Sequence, residues 1–178
     1  MDKIVLYFVV GSFVGWLMEV FFKTISRESL DRAGMGKGPF CMAYGIGVVL
    51  LYTLVANRSS NLIIVFLLSS FIGTVFEYFT ALVLKKVYGL VLWEYTKLKF
   101  AINDHICLEF MFLWGVFGSI FCKVVVPFLN NLSTKIITES TIPLLYAVAL
   151  YIMSDYAISG YIVIRNKKRN IKSLERSH

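Results

Sequence analysis

The chain has 178 residues, 58% of them hydrophobic and only 16% charged, with a mean hydropathy of +0.73 and a net charge of +7. That balance excludes an ordinary soluble globular domain and leaves little mass for anything beyond membrane helices. The positive charge does not point to nucleic acid, because the basic residues gather in the short polar stretches between apolar runs.

Five runs are long enough to cross a hydrocarbon core of roughly 30 Å at about 1.5 Å per helical residue. The first, residues 4–22, carries Glu19 near its end and is followed by no small-x-small cleavage motif. It is expected to be a mature helix rather than a removable signal. A loop containing "DRAGMGKGP" leads to the second run, 39–56, where Pro39 after several glycines suits a tight re-entry. The third run is 61–84. The stretch after it, "KKVYGLVLWEYTKLKFAIND", is apolar and aromatic enough to lie on the membrane interface or to dip into it, with Tyr88, Trp93 and Tyr95 as anchors. The fourth run is 106–126 and the fifth 142–164, followed by the basic tail 165–178.

With the amino terminus outside, fourteen Lys and Arg residues fall on the inner side and three on the outer. Lys123 lies inside the fourth run and is expected to snorkel outward. This bias predicts a cytoplasmic carboxyl terminus, its tail "RNKKRNIK" resting beside anionic lipid. The first and third helices then run in the same direction, and "SFVGWLMEVF" at 12–21 returns as "SFIGTVFEYF" at 70–79 with five of ten positions identical. "CMAY" at 41–44 is echoed by "CLEF" at 107–110. The expected architecture is an all-α integral membrane bundle of about five helices: a parallel two-helix repeat, residues 4–56 and 61–126, plus a fifth helix, with any site between the halves.

Three acids fall at similar depth, Glu19, Glu77 and Glu109 lying roughly 5, 10 and 5 Å inside the cytoplasmic boundary at about 1.5 Å per residue. A carboxylate in lipid is unfavourable unless it faces a cavity, a partner or a proton, so all three are candidates for function. Gly11, Gly15 and Glu19 recur every four residues, as do Ser69 or Ser70, Gly73 and Glu77. Such small-residue stripes are where helices approach, which turns both acids inward. Salt bridges from Glu19 and Glu109 to Arg27, Arg32 or Lys37 are the structural alternative, and Asp155, deep in the fifth run, fits either role.

His105 and Glu109, four apart at the expected start of a helix, share one face and could join Glu77 or Glu19 around a divalent metal. Capping of that helix by Asn103 or Asp104, with Glu109 at its positive end, accounts for the same residues. Cys41, Cys107 and Cys122 have no metal-ligand spacing and read as packing residues. "GMGKG" lacks the offset glycine and the Ser or Thr of a phosphate loop, so no ATP-hydrolysing site is encoded.

The series "GWLMEVFF", "DRAGMGKGPFCMAYGIG", "FEYFTALVLKKVYGLVLWEYT", "NDHICLEFMFLWGVFG" and "PFL" resembles, in order and spacing over about residues 11–130, the ABC-transporter type IV membrane family of Firmicutes and related bacteria. That group also includes vertebrate transmembrane protein 229 relatives. The residues matching its pattern include Gly15, Trp16, Glu19, Arg32, Gly34, Gly38, Pro39, Tyr44, Gly45, Glu77, Tyr78, Trp93, Tyr95, Asn103, Cys107, Trp114 and Gly115. Asp31, Met42 and His105 stand where the family usually has Asn, Pro and Arg. The resemblance implies a membrane component, and the leading expectation is a permease-like subunit whose inward-facing site, drawn from Glu19, Glu77, Glu109, Arg32, Tyr44, Trp93, Tyr95, Asn103 and Trp114, takes a cation or a polar head group. Its implied partners are membrane lipid and either a separate ATPase subunit or a second copy of the chain. Two alternatives stay open: a membrane-embedded enzyme acting on lipid, with Glu77 or Glu109 as base and His105 as acid or metal ligand, and a structural or regulatory membrane partner. No cofactor is implied.

Overall fold

In the computed structural model of the protein, residues 1–25, 35–96 and 98–175 are described, without the side chains of residues 168 and 170–175. Arg32 and the first part of "DRAGMGKGP" lie outside them. The chain forms α1 (Asp2–Ile25), α2 (Met42–Leu51, prolonged by the π-helical turn Tyr52–Ala56), α3 (Leu62–Val83, prolonged by the π-helical turn Leu84–Tyr88), β1 (Ala101–Asn103), β2 (Ile106–Cys107), α4 (Leu108–Ile120), α5 (Val126–Ile136) and α6 (Ile142–Glu175). Among the described residues, four helical stretches are long and apolar enough to cross a membrane: Asp2–Ile25, Leu62–Tyr88, Leu108–Ile136 and Ile142–Lys167. The fold is an all-α membrane helical bundle.

Where a fifth full span is expected, Met42–Ala56 forms a shorter apolar helix that reaches roughly 22 Å at about 1.5 Å per residue. The missing turns are replaced by non-helical chain that folds in beside α1. Cys41 N donates to the Ser12 carbonyl, in the middle of α1, at 2.8 Å. Irregular backbone at that depth is tolerated only where protein satisfies its polar groups. Asp155 on α6 does so, its Oδ2 accepting from Lys37 N at 2.9 Å and Gly38 N at 3.0 Å. The deep acid of the last helix is thus a hydrogen-bonding strut for the glycine-rich segment.

Other boundaries also differ from expectation. α3 ends in a left-handed glycine cap, with Gly89 at φ 70°, Gly89 N donating to Lys85 O at 3.1 Å and Leu90 N to Leu84 O at 3.0 Å. The helix begun at Leu108 does not stop at 126. Pro127 removes a backbone donor and crowds the carbonyl four residues back, and the π-helical turn Phe121–Val125 directly before it absorbs the misfit and carries the helix into α5. The interfacial stretch contains a small antiparallel hairpin, Ala101 paired with Cys107. α4 therefore starts after this hairpin, and its N-cap is Cys107 rather than Asn103 or Asp104.

The helices pack chiefly as α1 on α2 and α3 on α4, with α6 lying across both units. Close approach is made possible by the small residues. Cβ atoms added at Gly15 and Gly45 would strike Tyr44 and Ser12, and added at Gly73 and Gly115 would strike Trp114 and Ser70. The two units are therefore built alike, Ser12, Gly15, Tyr44 and Gly45 in one matching Ser70, Gly73, Trp114 and Gly115 in the other. In this register Tyr44 corresponds to Trp114, one helical turn beyond the Phe110 that the "CMAY"/"CLEF" echo selects. At the end where the chain begins, Tyr7 is fully buried, stacks on Tyr52 at 4.2 Å and donates to the Val126 carbonyl at 3.2 Å. Lys123 reaches the Ser59 and Ser60 carbonyls, each at 3.0 Å.

Candidate functional site

Glu77 sits on the α3 stripe that faces α4 and is only 9% exposed. Both carboxylate oxygens are engaged. Tyr95 Oη donates to Oε1 at 2.5 Å, and Trp114 Nε1 donates to Oε2 at 2.9 Å. The two donors arrive from different places: Trp114 from α4, its ring seated in the notch left by Gly73, and Tyr95 from the non-helical chain after α3. Tyr95 is itself buried and stacked on Phe110, ring centroids 4.4 Å apart. Burial first, and then the bond to Glu77, push the Tyr95 phenol above the ordinary tyrosine value, so it remains a donor at physiological pH. Among the described residues, no basic side chain pairs with Glu77.

Glu19 occupies the matching place on α1 and is partly buried. Its Oε1 accepts from Cys41 Sγ at 3.6 Å. One turn above it, Tyr44 fills the notch at Gly15. Tyr44 lies within electrostatic reach of Glu19, Cys41 and Glu77, and Tyr95 within reach of Tyr44.

The structure brings Glu77, Tyr95 and Trp114 together directly, and on the other helix pair it sets Glu19 beside Cys41 and Tyr44 against Gly15. It does not bring in Glu109, which is exposed on the first turn of α4, or Asn103, whose Oδ1 accepts from His105 N at 2.9 Å within the hairpin. Trp93 and His105 lie under the end of α3, lining a narrow recess with Ala81 and Leu84. His105 is buried in the hairpin turn while Glu109 points outward from the helix, so the shared face assumed for a metal pair does not form. Among the described residues, no group of three or more His, Cys, Asp or Glu is close enough to hold a metal ion. Cys41, Asp155 and Tyr156 were not singled out as site residues, yet Cys41 touches Glu19 and Tyr156 Oη donates to the Phe40 carbonyl at 3.2 Å. Only the depth of Asp155 signalled this corner in the sequence.

Glu77 is thus a buried carboxyl group held by two aromatic donors from two different parts of the chain. No curated protein and no solved structure is significantly similar to the chain. The family described as "Putative ABC-transporter type IV" matches residues 6–160, across both helix pairs and into α6, and the chain belongs to that family.

Proposed function

We propose that the protein is a permease-like membrane subunit that takes a cation, or the ammonium of a polar head group, at Glu77 from the inner face. The observation that carries this reading is the desolvated Glu77 carboxylate, bonded by two aromatic donors and by no basic side chain among the described residues. Tyr44, Tyr95 and Trp114 add ring faces suited to a diffuse positive charge. Glu19, at the matching position on α1, is the second carboxylate of one site. The amino terminus is outside and the carboxyl terminus cytoplasmic, which puts the acids at the inner end, and the family supports a separate ATPase subunit as the partner.

The same two hydrogen bonds carry a second reading, in which Glu77 is a staple joining α3, α4 and the intervening chain and the protein is a structural or regulatory partner. Flux of monovalent and organic cations in proteoliposomes separates the two. Glu77→Gln abolishes flux in a folded protein on the first reading. A folded Glu77→Gln variant with undiminished flux, or purified protein without flux or bound cation, sinks that reading.

A further inference from the structure

The two donors to Glu77 differ in how firmly they are held. Trp114 is fixed in a helix contact, whereas Tyr95 ends a strap, Gly89–Tyr95, that has neither helix nor strand conformation. The strap starts at Gly89, in the left-handed region at φ 70° where a glycine turns freely. Its far end is tied by few bonds: Tyr95 N to the Asp104 carbonyl at 2.9 Å and Tyr95 Oη to Glu77. Nearby, the ion pair Lys85–Asp104 at 3.6 Å is about half exposed on both sides and adds little, while Lys167 of α6 lies against Gly89 at the near end.

The underside of the strap is incompletely satisfied. Trp93 Nε1 and His105 Nδ1 are both buried without a hydrogen-bond partner, and both residues line the recess between the strap, the end of α3 and the hairpin turn. His105 is only 6% exposed. Buried polar atoms left unpaired destabilise the state that buries them. Lifting the strap would return both to water, at the loss of the Tyr95–Glu77 bond.

We infer that the strap Gly89–Tyr95 is a gate over the inner side of Glu77, with the Tyr95 hydroxyl as its latch and the unpaired Trp93 and His105 nitrogens as the bias toward opening. The gate rests on the Glu77 site proposed above for its purpose, but its motion requires no ligand. A cation arriving from the inner face replaces the Tyr95 hydroxyl on Oε1, while Trp114 keeps Oε2 in place.

Hydrogen–deuterium exchange on the full chain in nanodiscs, with no cation ligand added, tests this. Tyr95→Phe is expected to speed exchange of the Tyr95 amide by about fivefold or more, the population change to which one ordinary hydrogen bond converts. The α3 and α4 amides should keep their wild-type rates. Trp93→Phe removes one unpaired donor and should slow exchange of the same amide. Wild-type exchange at Tyr95 in either variant, or acceleration by Tyr95→Phe that spreads equally through α3 and α4, overturns the gate. Loss of flux in Glu77→Gln is a separate measurement, so a moving strap without transport refutes the proposed function and leaves the gate standing.

Discussion

Trp114 on α4 hydrogen-bonds Glu77 on α3 across a helix contact that only a glycine at position 73 allows. Because the acceptor is a buried carboxylate, this bond should be among the stronger contributions to the bundle. Trp114→Phe keeps an aromatic ring but removes the donor, and is expected to lower stability by about 2 kcal/mol. Thermal unfolding in detergent measures it; an unshifted transition means that the bond contributes nothing.

As the two carboxylates of the proposed site, Glu19 and Glu77 should act as one unit. With Glu77→Gln already in place, Glu19→Gln is expected to add little further loss of flux. Two unconnected structural acids would give additive losses, and a double-mutant cycle distinguishes the outcomes.

The glycine notches make a sharper stability test. A Cβ at Gly73 would lie 2.7 Å from Trp114 Cγ, and one at Gly15 would lie 2.3 Å from Tyr44 Cβ and Cγ. Gly73→Ala and Gly15→Ala are each expected to destabilise by about 1–3 kcal/mol through overpacking. Gly47 supplies the control, since a Cβ there would meet only Phe76 at 3.6 Å, an ordinary contact. Gly47→Ala should be neutral or slightly stabilising. Equal effects at all three positions would remove the special role of the notches.

The proposed orientation is checked by reporters fused at the two ends. One after His178 is expected in the cytoplasm and one before Met1 outside. An external carboxyl terminus would place the acidic site at the wrong face for loading from inside.

Much of this was legible because hydropathy and small-residue spacing are local signals. The spacing of Gly15 and Glu19 recurs as Gly73 and Glu77, and Glu77, Tyr95 and Trp114 are all among the sequence candidates. What did not show was the partner of each. The register of Tyr44 with Trp114 depends on which residues fill which notch, and that is a property of two helices at once. The His105–Glu109 pair failed because a hairpin, not a helix, covers residues 101–107, and three apolar residues in extended form look no different in sequence from a helical turn. Asp155 was visible only as an acid in lipid, because the backbone N–H groups it serves are more than a hundred residues away.

Along the helical stretch Leu108–Ile136, exposed Glu109 lies on the first turn, and Lys123, tied to the Ser59 and Ser60 carbonyls, lies near the middle. Fourteen residues separate them, a rise of roughly 21 Å, against a typical hydrocarbon thickness of about 30 Å. Lys123 can stretch along the helix, but its bonds to the loop fix where its charge ends. Keeping both charges wet requires the bilayer to thin toward this side of the protein. Lipid chain length therefore becomes a variable that acts on α4, and through Trp114 on the carboxylate it holds.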